Sequence, residues 1–418
     1  MILFDLELKK ILSIIPFENI YPPMNGGMLR CINLLNQLSK YFEVTVIVNQ
    51  EKKSFEKAFD DYPYLHKCTV FSTKSFKAPA DIFAVMPSKL QKALRYRYWN
   101  RSLFGPAEES FLLIYPLLKG FLKKKKVDFV ILETLFNVEP LAKFIRRRQP
   151  DVHIIYNAYN VDSKLAAVSL RNGKISEAAY ESIRKAESNL YKFVDGIFTC
   201  SELDLAEIIA MNKRILSGTV IPNGVKIANT FSEVENENYR ENYNLIFCGS
   251  MDYFPNQEGL IWFCKEIFPL IIKQNPLAKL LVVGKGDPGI ELPALFKSNS
   301  ILFLGMVSDV NEYYKKAVVA IVPLLSGSGT RLKLLEAMGN KTAVVSTAIG
   351  AEGIGYTDKK NILIANDNIS FAKSVIELLD NRALARSIAS EAYTFAKKNY
   401  EWNTVGEKLR TYIEKARI

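Results

Sequence analysis

The sequence is poor in the residues on which metal and thiol chemistry depend. It contains only two histidines, His66 and His153, which nearly excludes a histidine-rich metal site or a histidine-based catalytic triad. Its five cysteines are scattered and form no C-x-x-C pair, so we expect reduced thiols in a cytosolic protein rather than a zinc site. No D-x-D motif follows a suitable strand. On these grounds neither a metal ion nor a cofactor is expected.

Long apolar runs are also absent from the sequence. No run of 18 or more apolar residues occurs, so no transmembrane helix is predicted. The first residues place Asp5, Glu7 and two lysines before a short apolar stretch, which is not the order of a signal peptide. With 49% hydrophobic and 24% charged residues the composition is that of a globular protein, and 418 residues favour two or three domains. A cytoplasmic location is expected, with peripheral attachment to the inner membrane as an option.

Positive charge is present in excess and is unevenly placed. About +10 of the net charge of +11 falls in residues 1–226, and nearly all of it lies between Lys74 and Arg148. Such asymmetry predicts an anionic surface as partner, either a membrane or a nucleic acid. No RNA- or DNA-binding motif accompanies this basic region, so a membrane is favoured and a nucleic acid partner is not expected.

The stretch Asp81–Lys126 within the basic region is aromatic and amphipathic. An apolar run from Phe111 to Leu122 leads into four lysines, Lys123–Lys126. A helix of this composition can lie at a membrane interface, where each lysine adds roughly 1 kcal/mol of attraction to anionic lipid. The alternative is a core helix whose terminal lysines complement the helix dipole.

Strands and helices alternate along the chain, which predicts an α/β protein with parallel sheets. In the first half, strands are predicted at Lys10–Pro16, Glu43–Asn49, Val127–Leu132, Val152–Asn157 and Asp195–Cys200. We predict two doubly wound, Rossmann-like domains facing across a cleft, formed by residues 1–226 and 244–395 and joined by a polar, acidic linker at 227–243. A final helix at 396–418 is expected to return to the N-terminal domain.

One segment of the second half, Ile321–Gly353, organises the predicted site. It reads as strand, glycine-rich turn, helix, strand and turn, with an apolar strand run that extends to Leu325 and a helix N-cap at Thr330. In an open α/β sheet, ligands lie beyond the carboxyl ends of the strands. A glycine turn that leads into a helix there suits an anion, because free N–H groups and the helix dipole point at it.

Charged residues strengthen this interpretation. Arg331 and Lys333 add positive charge at the predicted helix start. Lys333 and Glu336 are three residues apart and therefore share a helix face, which is not the leucine face. The segment thus offers hydrogen-bond donors that can bind a diphosphate and a carboxylate that can accept from two hydroxyls. A nucleotide diphosphate sugar requires both. The alternative is a solvated glutamate that pairs with Lys333.

Several short motifs follow one another in a recognisable order. The most specific are GSMDYFPNQEGLIWFCKEIFPLI, VVGKG, and SGSGTRLKLLEAM with VVSTAIGAEG. Weaker ones are NGG at 25–27, YNVDS at 159–163, CSELD at 200–204 and IPNGV at 221–225. Through their order and spacing the chain resembles bacterial family-4 (group 1) retaining glycosyltransferases of the GT-B fold over nearly its whole length.

The resemblance implies roles for residues that match the family's motifs. Glu336 matches the carboxylate that accepts the ribose hydroxyls of the donor, and Arg331 with Lys333 would stabilise the leaving diphosphate. Further matches on the donor side are Gly26, Gly27, Gly249, Ser250, Lys285, Val307, Ser328, Gly329, Thr330 and Leu332. Asn160 and Asp162 match the acceptor side.

The chain departs from the family's pattern in three places. Ser328 stands where many members have an acidic residue that contacts the transferred sugar. The loop SMDYFPNQ lacks the arginine and lysine that neutralise the diphosphate, so Arg331 and Lys333 are expected to take over that charge. The segment that begins at Tyr159 lacks the family's histidine. These departures leave the donor sugar open.

The resemblance implies transfer of a sugar from a UDP- or GDP-sugar to a glycan or lipid-linked acceptor at the cytoplasmic membrane face, in cell-surface polysaccharide biosynthesis. Negative charge develops on the leaving diphosphate, so catalysis is expected to be mainly electrostatic and independent of metal ions. Two alternatives remain, a sugar-nucleotide epimerase or hydrolase of the same fold and a non-catalytic membrane-surface binding protein. A dinucleotide-dependent oxidoreductase is disfavoured, because GKG lacks the third glycine.

Overall fold

A computed structural model describes residues 8–75, 107–212, 217–227, 243–286, 300–327 and 331–416, with side chains from residue 114 onward in the second of these ranges. The chain forms two compact units. The first contains the chain up to Pro222 together with the residues from Gly406 onward, and the second runs from Asn223 to Val405. Most of the predicted linker, residues 228–242, lies outside the described residues.

The first unit is built on a seven-stranded parallel sheet of order β3-β2-β1-β4-β5-β6-β7. Its strands are β1 Lys10–Glu18, β2 Glu43–Asn49, β3 Thr69–Ser72, β4 Phe129–Leu132, β5 His153–Asn157, β6 Gly196–Thr199 and β7 Ser217–Val220. The chain runs outward in one direction from β1 and in the other from β4. The predicted doubly wound arrangement is therefore confirmed for this unit.

Helices connect the successive strands, as a parallel sheet requires. They are α1 Gly26–Tyr41, α2 Lys52–Glu56, α3 Ala107–Lys124, α4 Leu135–Arg146, α5 Asp162–Arg171, α6 Glu177–Glu187 and α7 Glu202–Met211. Helix α1 begins at Gly26, directly after its N-cap. Asn25 caps the helix by accepting a hydrogen bond from the Met28 amide at 2.9 Å, so Gly26 and Gly27 form its first turn.

Helix α3 is a core helix along its described face. Ile114 and Leu118 are 0% exposed and pack in the hydrophobic core with Leu117, Phe121 and Leu122. The interpretation of this face as a membrane-binding surface is therefore wrong, because the same amphipathic pattern is used to cover the sheet. The lysines at 123–126, which are the last two residues of α3 and the two after it, are exposed.

The second unit contains a six-stranded parallel sheet of order β10-β9-β8-β11-β12-β13. Its strands are β8 Asn244–Cys248, β9 Lys279–Val283, β10 Ile301–Gly305, β11 Val319–Val322, β12 Ala343–Ser346 and β13 Leu363–Ile364. Strand β11 ends at Val322, so the predicted extension of this strand to Leu325 is wrong. The α/β class and the two Rossmann-like sheets are as predicted.

The helices of this unit are α8 Phe254–Trp262, α9 Phe268–Gln274, α10 Asn311–Lys316, α11 Leu332–Gly339, α12 Asn368–Asp380 and α13 Arg382–Tyr400. A π-helical turn at Phe263–Ile267 separates α8 from α9, because Pro269 has no amide to continue a regular ladder. The last helix, α14, spans Trp402–Lys415. Tyr412 of α14 packs edge-on against Phe198 of β6 at 5.0 Å, so the chain end completes the first unit.

Candidate functional site

The topological switch point of the second sheet lies between β8 and β11. These strands are neighbours, and the chain leaves β8 toward β9 but leaves β11 toward β12. The crevice at the carboxyl ends of such strands is where open α/β sheets bind ligands. Gly249 follows β8 directly, and α11 follows β11 after a loop. The segment that the sequence singled out therefore lies at the position that the topology favours.

Helix α11 begins at Leu332, with Arg331 at its N-cap. Arg331 occupies the N-cap position without a side-chain capping bond, and Thr330, the predicted cap, lies outside the described residues. Ser328, Gly329 and Thr330, all predicted to meet the donor, lie outside the described residues. Leu332 is the first helical residue.

The ammonium group of Lys333 lies at the carboxyl end of β8. Its Nζ donates a hydrogen bond to Asn256 Oδ1 at 2.6 Å and lies 4.4 Å from the centroid of the Phe247 ring. A Cβ placed on Gly249 would come within 2.8 Å of the same Nζ. A side chain at position 249 would therefore displace the lysine, which explains why glycine suits this position.

This environment partly shields the Lys333 side chain from water. Burial is the main cause that lowers its pKa from 10.5 to about 7; Arg331 lowers it slightly further, whereas Cys248 and Glu336 raise it. Desolvation disfavours the charged form, whereas a nearby anion favours it. A bound anion would therefore raise the pKa again.

Glu336 lies on the same side of α11. Burial raises the pKa of its carboxyl group, and the Tyr314 hydroxyl and Lys333 oppose that shift. The hydroxyl of the fully buried Tyr314 lies 3.0 Å from the Lys333 carbonyl oxygen and 3.4 Å from Glu336 Oε2. A carboxylate offers about four acceptor positions, so Glu336 keeps capacity for two ligand hydroxyls. Both Glu336 and Lys333 are partly buried.

The loops after β8 and β9 are packed backbone against backbone. Gly284 has a φ of +148°, and a Cβ there would come within 1.9 Å of the Gly249 carbonyl oxygen. The Ser250 carbonyl accepts a hydrogen bond from Asn256 Nδ2 at 2.8 Å. Lys285 is exposed and forms an ion pair with Asp252 at 3.3 Å, at the edge of this cluster.

Arg331 is 6% exposed and lies beside the glycine turn that precedes it. A Cβ on Gly327, whose φ is +119°, would come within 3.1 Å of Arg331 Nη2 and 3.2 Å of the Tyr253 hydroxyl. Arg331 thus stands near the start of α11, where its charge adds to the helix dipole. Val307, predicted on the donor side, is partly buried against the core beyond β10.

In the first unit, the predicted residues lie at the carboxyl ends of its strands. Gly26 and Gly27 open α1 after β1, and the partly exposed Asn160 precedes α5. Asp162 is the first residue of α5, and its amide donates to the Glu187 carboxylate at 2.8 Å. Burial, with Glu187 second, raises the pKa of Asp162 to about 7.

A cluster that the sequence interpretation missed lies near these residues. It joins Arg30 of α1, Glu133 after β4, Asn157 of β5 and Tyr159, with Glu133 accepting hydrogen bonds from the last two. One signal was available, since an acidic residue directly follows the buried run VDFVIL. Burial raises the pKa of Glu133, against the effect of its hydrogen-bond partners.

Solved structures share this architecture of two Rossmann-like domains. The Anabaena protein Alr3699/HepE, solved in complex with UDP and glucose, matches with a TM-score of 0.68 over 98% of this chain and 100% of its own. The two sequences are 15% identical, so this likeness concerns the fold.

The sequence comparisons match part of the chain to one family. Residues 242–381, which contain Gly249, Lys333 and Glu336, match the family described as Glycosyl transferases group 1. An uncharacterized 44.6 kDa protein from the cps region of Klebsiella pneumoniae is 36% identical over 167 residues, which are 38% of this chain and 43% of that protein. Phosphatidyl-myo-inositol mannosyltransferase of Mycolicibacterium smegmatis is 25% identical over 217 residues, which are 50% of this chain and 55% of that protein. The chain thus spans about half the length of these relatives.

Among the described residues, no helix combines the length and the hydropathy needed to cross a membrane.

Proposed function

We propose that the chain is a retaining glycosyltransferase that moves a sugar from a nucleotide diphosphate donor to a glycan or lipid-linked acceptor. The observation that carries this proposal is the desolvated Lys333 ammonium beside Gly249, with Glu336 on the same helix face. The group 1 glycosyl transferase match covers these residues. A phosphate-binding cation and a hydroxyl-binding carboxylate on one helix suit a nucleoside diphosphate.

In this proposal the donor diphosphate meets Lys333, Arg331 and the amides at the start of α11. Lys333 takes the place of the basic residues that the loop after β8 lacks, because its ammonium reaches Gly249 of that loop and Asn256 of α8. Glu336 accepts the two ribose hydroxyls. One solved neighbour binds UDP and one relative is a mannosyltransferase, so UDP and GDP both remain candidates for the donor nucleotide.

The chemistry that we propose is electrostatic. Cleavage of the anomeric C–O bond leaves negative charge on the diphosphate, and preorganised cations and helix amides stabilise that charge. The leaving phosphate accepts the acceptor's proton on the face where the new bond forms, so configuration is retained. Lys333 and Arg331 would make a metal ion unnecessary, and transfer should persist in EDTA.

A thermal-shift experiment tests the donor site. UDP-glucose and GDP-mannose serve as probes, and we expect one of them to raise the unfolding temperature, since ligands that bind the native state stabilise it. Glu336→Ala should abolish the shift. The control Glu377→Ala removes an exposed glutamate from α12 of the same unit and should leave the shift unchanged. A shift that survives Glu336→Ala would remove the donor from this site.

We further propose that exposed lysines hold the protein at the cytoplasmic face of an anionic membrane, for cell-surface polysaccharide biosynthesis. Gln149 Nε2 donates to the Lys125 carbonyl at 2.7 Å, which brings the lysines at 123–126 beside the exposed Arg147 and Arg148. This basic patch adjoins the amino ends of β4 and β5, the edge opposite to the carboxyl ends. A four-residue strand spans about 13 Å, so the carboxyl ends lie about that far from the patch. An acceptor must therefore extend away from its lipid to reach them, which suits a lipid-linked glycan.

Sedimentation with vesicles tests the basic patch. Replacing the four lysines at 123–126 with glutamine should reduce sedimentation with phosphatidylglycerol vesicles at low salt and leave the unfolding temperature unchanged, because these side chains are exposed. Equal sedimentation of variant and parent would contradict membrane binding through this patch. The control for net charge replaces four exposed lysines of the second unit with glutamine, Lys273 and Lys315 among them.

A further inference from the structure

The first sheet has its own topological switch point, between β1 and β4. The two strands are neighbours, and the chain leaves β1 toward β2 but leaves β4 toward β5. Helix α1 opens after β1 with Gly26 and Gly27, and Glu133 directly follows β4. Glu133 therefore lies at the crevice where an open α/β sheet binds its ligand, as the residues at the switch point of the second sheet do.

Glu133 organises a hydrogen-bonded cluster there. Its Oε2 accepts hydrogen bonds from Asn157 Nδ2 at 2.8 Å and from the hydroxyl of Tyr159. Asn157 in turn accepts through Oδ1 from Arg30 Nη2 at 2.9 Å. The cluster thus links the end of β4, the end of β5 and the second turn of α1.

Stability alone is a weak reason for this cluster. Glu133 is 5% exposed, Asn157 1% and Arg30 1%, so a carboxylate and a guanidinium are both removed from water. Well-packed apolar residues of similar volume stabilise a fold as well as a buried ion pair, or better. Buried polar networks that satisfy one another do fix a single arrangement of the elements that they join. The cluster is therefore better suited to setting geometry than to adding stability.

Contacts continue from Glu133 to the glycine turn. The ring of Tyr159 lies 5.8 Å from the ring of Phe17, near the end of β1. Phe17 Cζ in turn lies 3.8 Å from the point that a Cβ on Gly27 would occupy. Tyr159 is partly exposed, unlike the other members of the cluster. The Tyr159 ring and the first turn of α1 are thus partly exposed, and Glu133 lies buried beneath them.

We propose that Glu133 is a positioning residue for the proposed transfer, which fixes Tyr159 and the first turn of α1 as one preformed surface for the sugar acceptor. This inference rests on the proposed function. Holding groups in a preset geometry lowers the barrier by removing disorder from the reacting complex, and a misplacement of about 1 Å can cost roughly 100-fold in rate.

The test compares variants that keep side-chain size. Glu133→Gln removes the negative charge near Arg30 and leaves one acceptor oxygen in place of two, and Tyr159→Phe removes the hydroxyl that Glu133 holds. The control is Asp195→Asn, because Asp195 is a carboxylate that accepts from Arg146 and from the Ile154 amide at the opposite edge of the same sheet. Donor binding is followed by the thermal shift, and transfer by incorporation of sugar from UDP-glucose or GDP-mannose into a lipid extract.

We expect Glu133→Gln to lower kcat about 10- to 100-fold and to raise the KM for acceptor, while the donor-induced thermal shift stays that of the parent. The double variant Glu133→Gln with Tyr159→Phe should lose no more kcat than Glu133→Gln alone, since the effects of residues that act as a unit are not additive. Asp195→Asn should lower the unfolding temperature without changing kcat. Multiplicative losses in the double variant, or an equal loss of kcat in Asp195→Asn, would overturn the proposal.

Hydrogen exchange gives a readout that does not depend on activity. Asn25 accepts from the amides of Met28 at 2.9 Å and Leu29 at 3.0 Å, so exchange at these amides reports the first turn of α1. Glu133→Gln should speed their exchange at least tenfold relative to Asp195→Asn, and unchanged exchange would overturn the positioning role. If the parent protein transfers no sugar while the exchange effect is present, the proposed function fails and the structural role of Glu133 stands.

Discussion

Protonation of Lys333 should control the affinity of the proposed donor site. Burial beside Phe247, Gly249 and Asn256 lowers the pKa of its ammonium to about 7, so near neutral pH the free protein holds a mixture of charged and neutral lysine. A bound diphosphate favours the charged form and raises the pKa. Binding must therefore take up a proton, and affinity must fall as the pH rises above 7.

The expected magnitude follows from that pKa. Between pH 6.5 and 8.5 the charged fraction of a group with a pKa of about 7 falls from about 0.76 to about 0.03, which weakens binding about 25-fold, or about 1.9 kcal/mol. The same argument gives an uptake of about 0.5 proton per ligand at pH 7 and about 0.9 at pH 8. UDP-glucose or GDP-mannose is the appropriate ligand, because the diphosphate of a nucleotide sugar keeps its charge over this range.

Isothermal titration calorimetry in two buffers of different ionisation enthalpy measures both quantities. Lys333→Met should bind weakly at every pH and take up no proton. Lys273→Met, which removes an exposed lysine from α9, should reproduce the pH dependence of the parent. An affinity that is flat from pH 6.5 to 8.5 in the parent, or a pH dependence that persists in Lys333→Met, would refute the assignment of the diphosphate to Lys333.

Three further predictions concern stability and packing. The pKa of Asp162 is raised to about 7 from 3.8, so the native state holds the proton more tightly than the unfolded state. The free energy of unfolding should therefore fall by about 1.4 kcal/mol per pH unit as the pH rises from about 4 to 7. In urea denaturation, Asp162→Asn should lack this slope. Gly249→Ala would place a Cβ 2.8 Å from Lys333 Nζ, so it should weaken donor binding at least tenfold in the thermal-shift assay, and unaltered binding would contradict the site geometry. Leu118→Ala should lower the free energy of unfolding by about 2–5 kcal/mol, because Leu118 is 0% exposed, whereas no loss would restore the membrane interpretation of α3.

Much of the fold follows from the alternation of elements, because buried apolar runs between amphipathic helices allow few arrangements other than parallel sheets. The place of α11 follows in the same way, since a glycine-rich turn after a buried strand lies at the carboxyl edge of the sheet. The interpretation of the apolar face of α3 as a membrane-binding surface was wrong for a physical reason. An amphipathic pattern shows that one face of a helix is apolar, and it does not show whether lipid or a sheet covers that face.

The contacts of individual site residues could not be predicted from spacing. Lys333 and Glu336 were expected to share a helix face, but the reach of the lysine to Asn256 depends on where the sheet places α11 relative to α8, which no local pattern encodes. The role of Glu133 was missed for the same reason, because its partners Asn157 and Arg30 come from β5 and α1. Both cases join residues that are far apart in sequence.

An exchange of two residues tests whether Lys333 replaces a basic residue that the loop after β8 lacks. Lys333 Nζ and Asn256 Oδ1 are 2.6 Å apart, so a lysine placed at position 256 would bring its charge to the same region from α8. Lys333→Asn alone should weaken binding of the nucleotide sugar about 10- to 100-fold, in line with the loss of a charge-assisted hydrogen bond. The double variant Lys333→Asn with Asn256→Lys should recover most of that loss. Recovery would show that the site requires a cation at this point rather than a lysine on α11, and a double variant as weak as Lys333→Asn would show that the origin of the lysine on α11 matters.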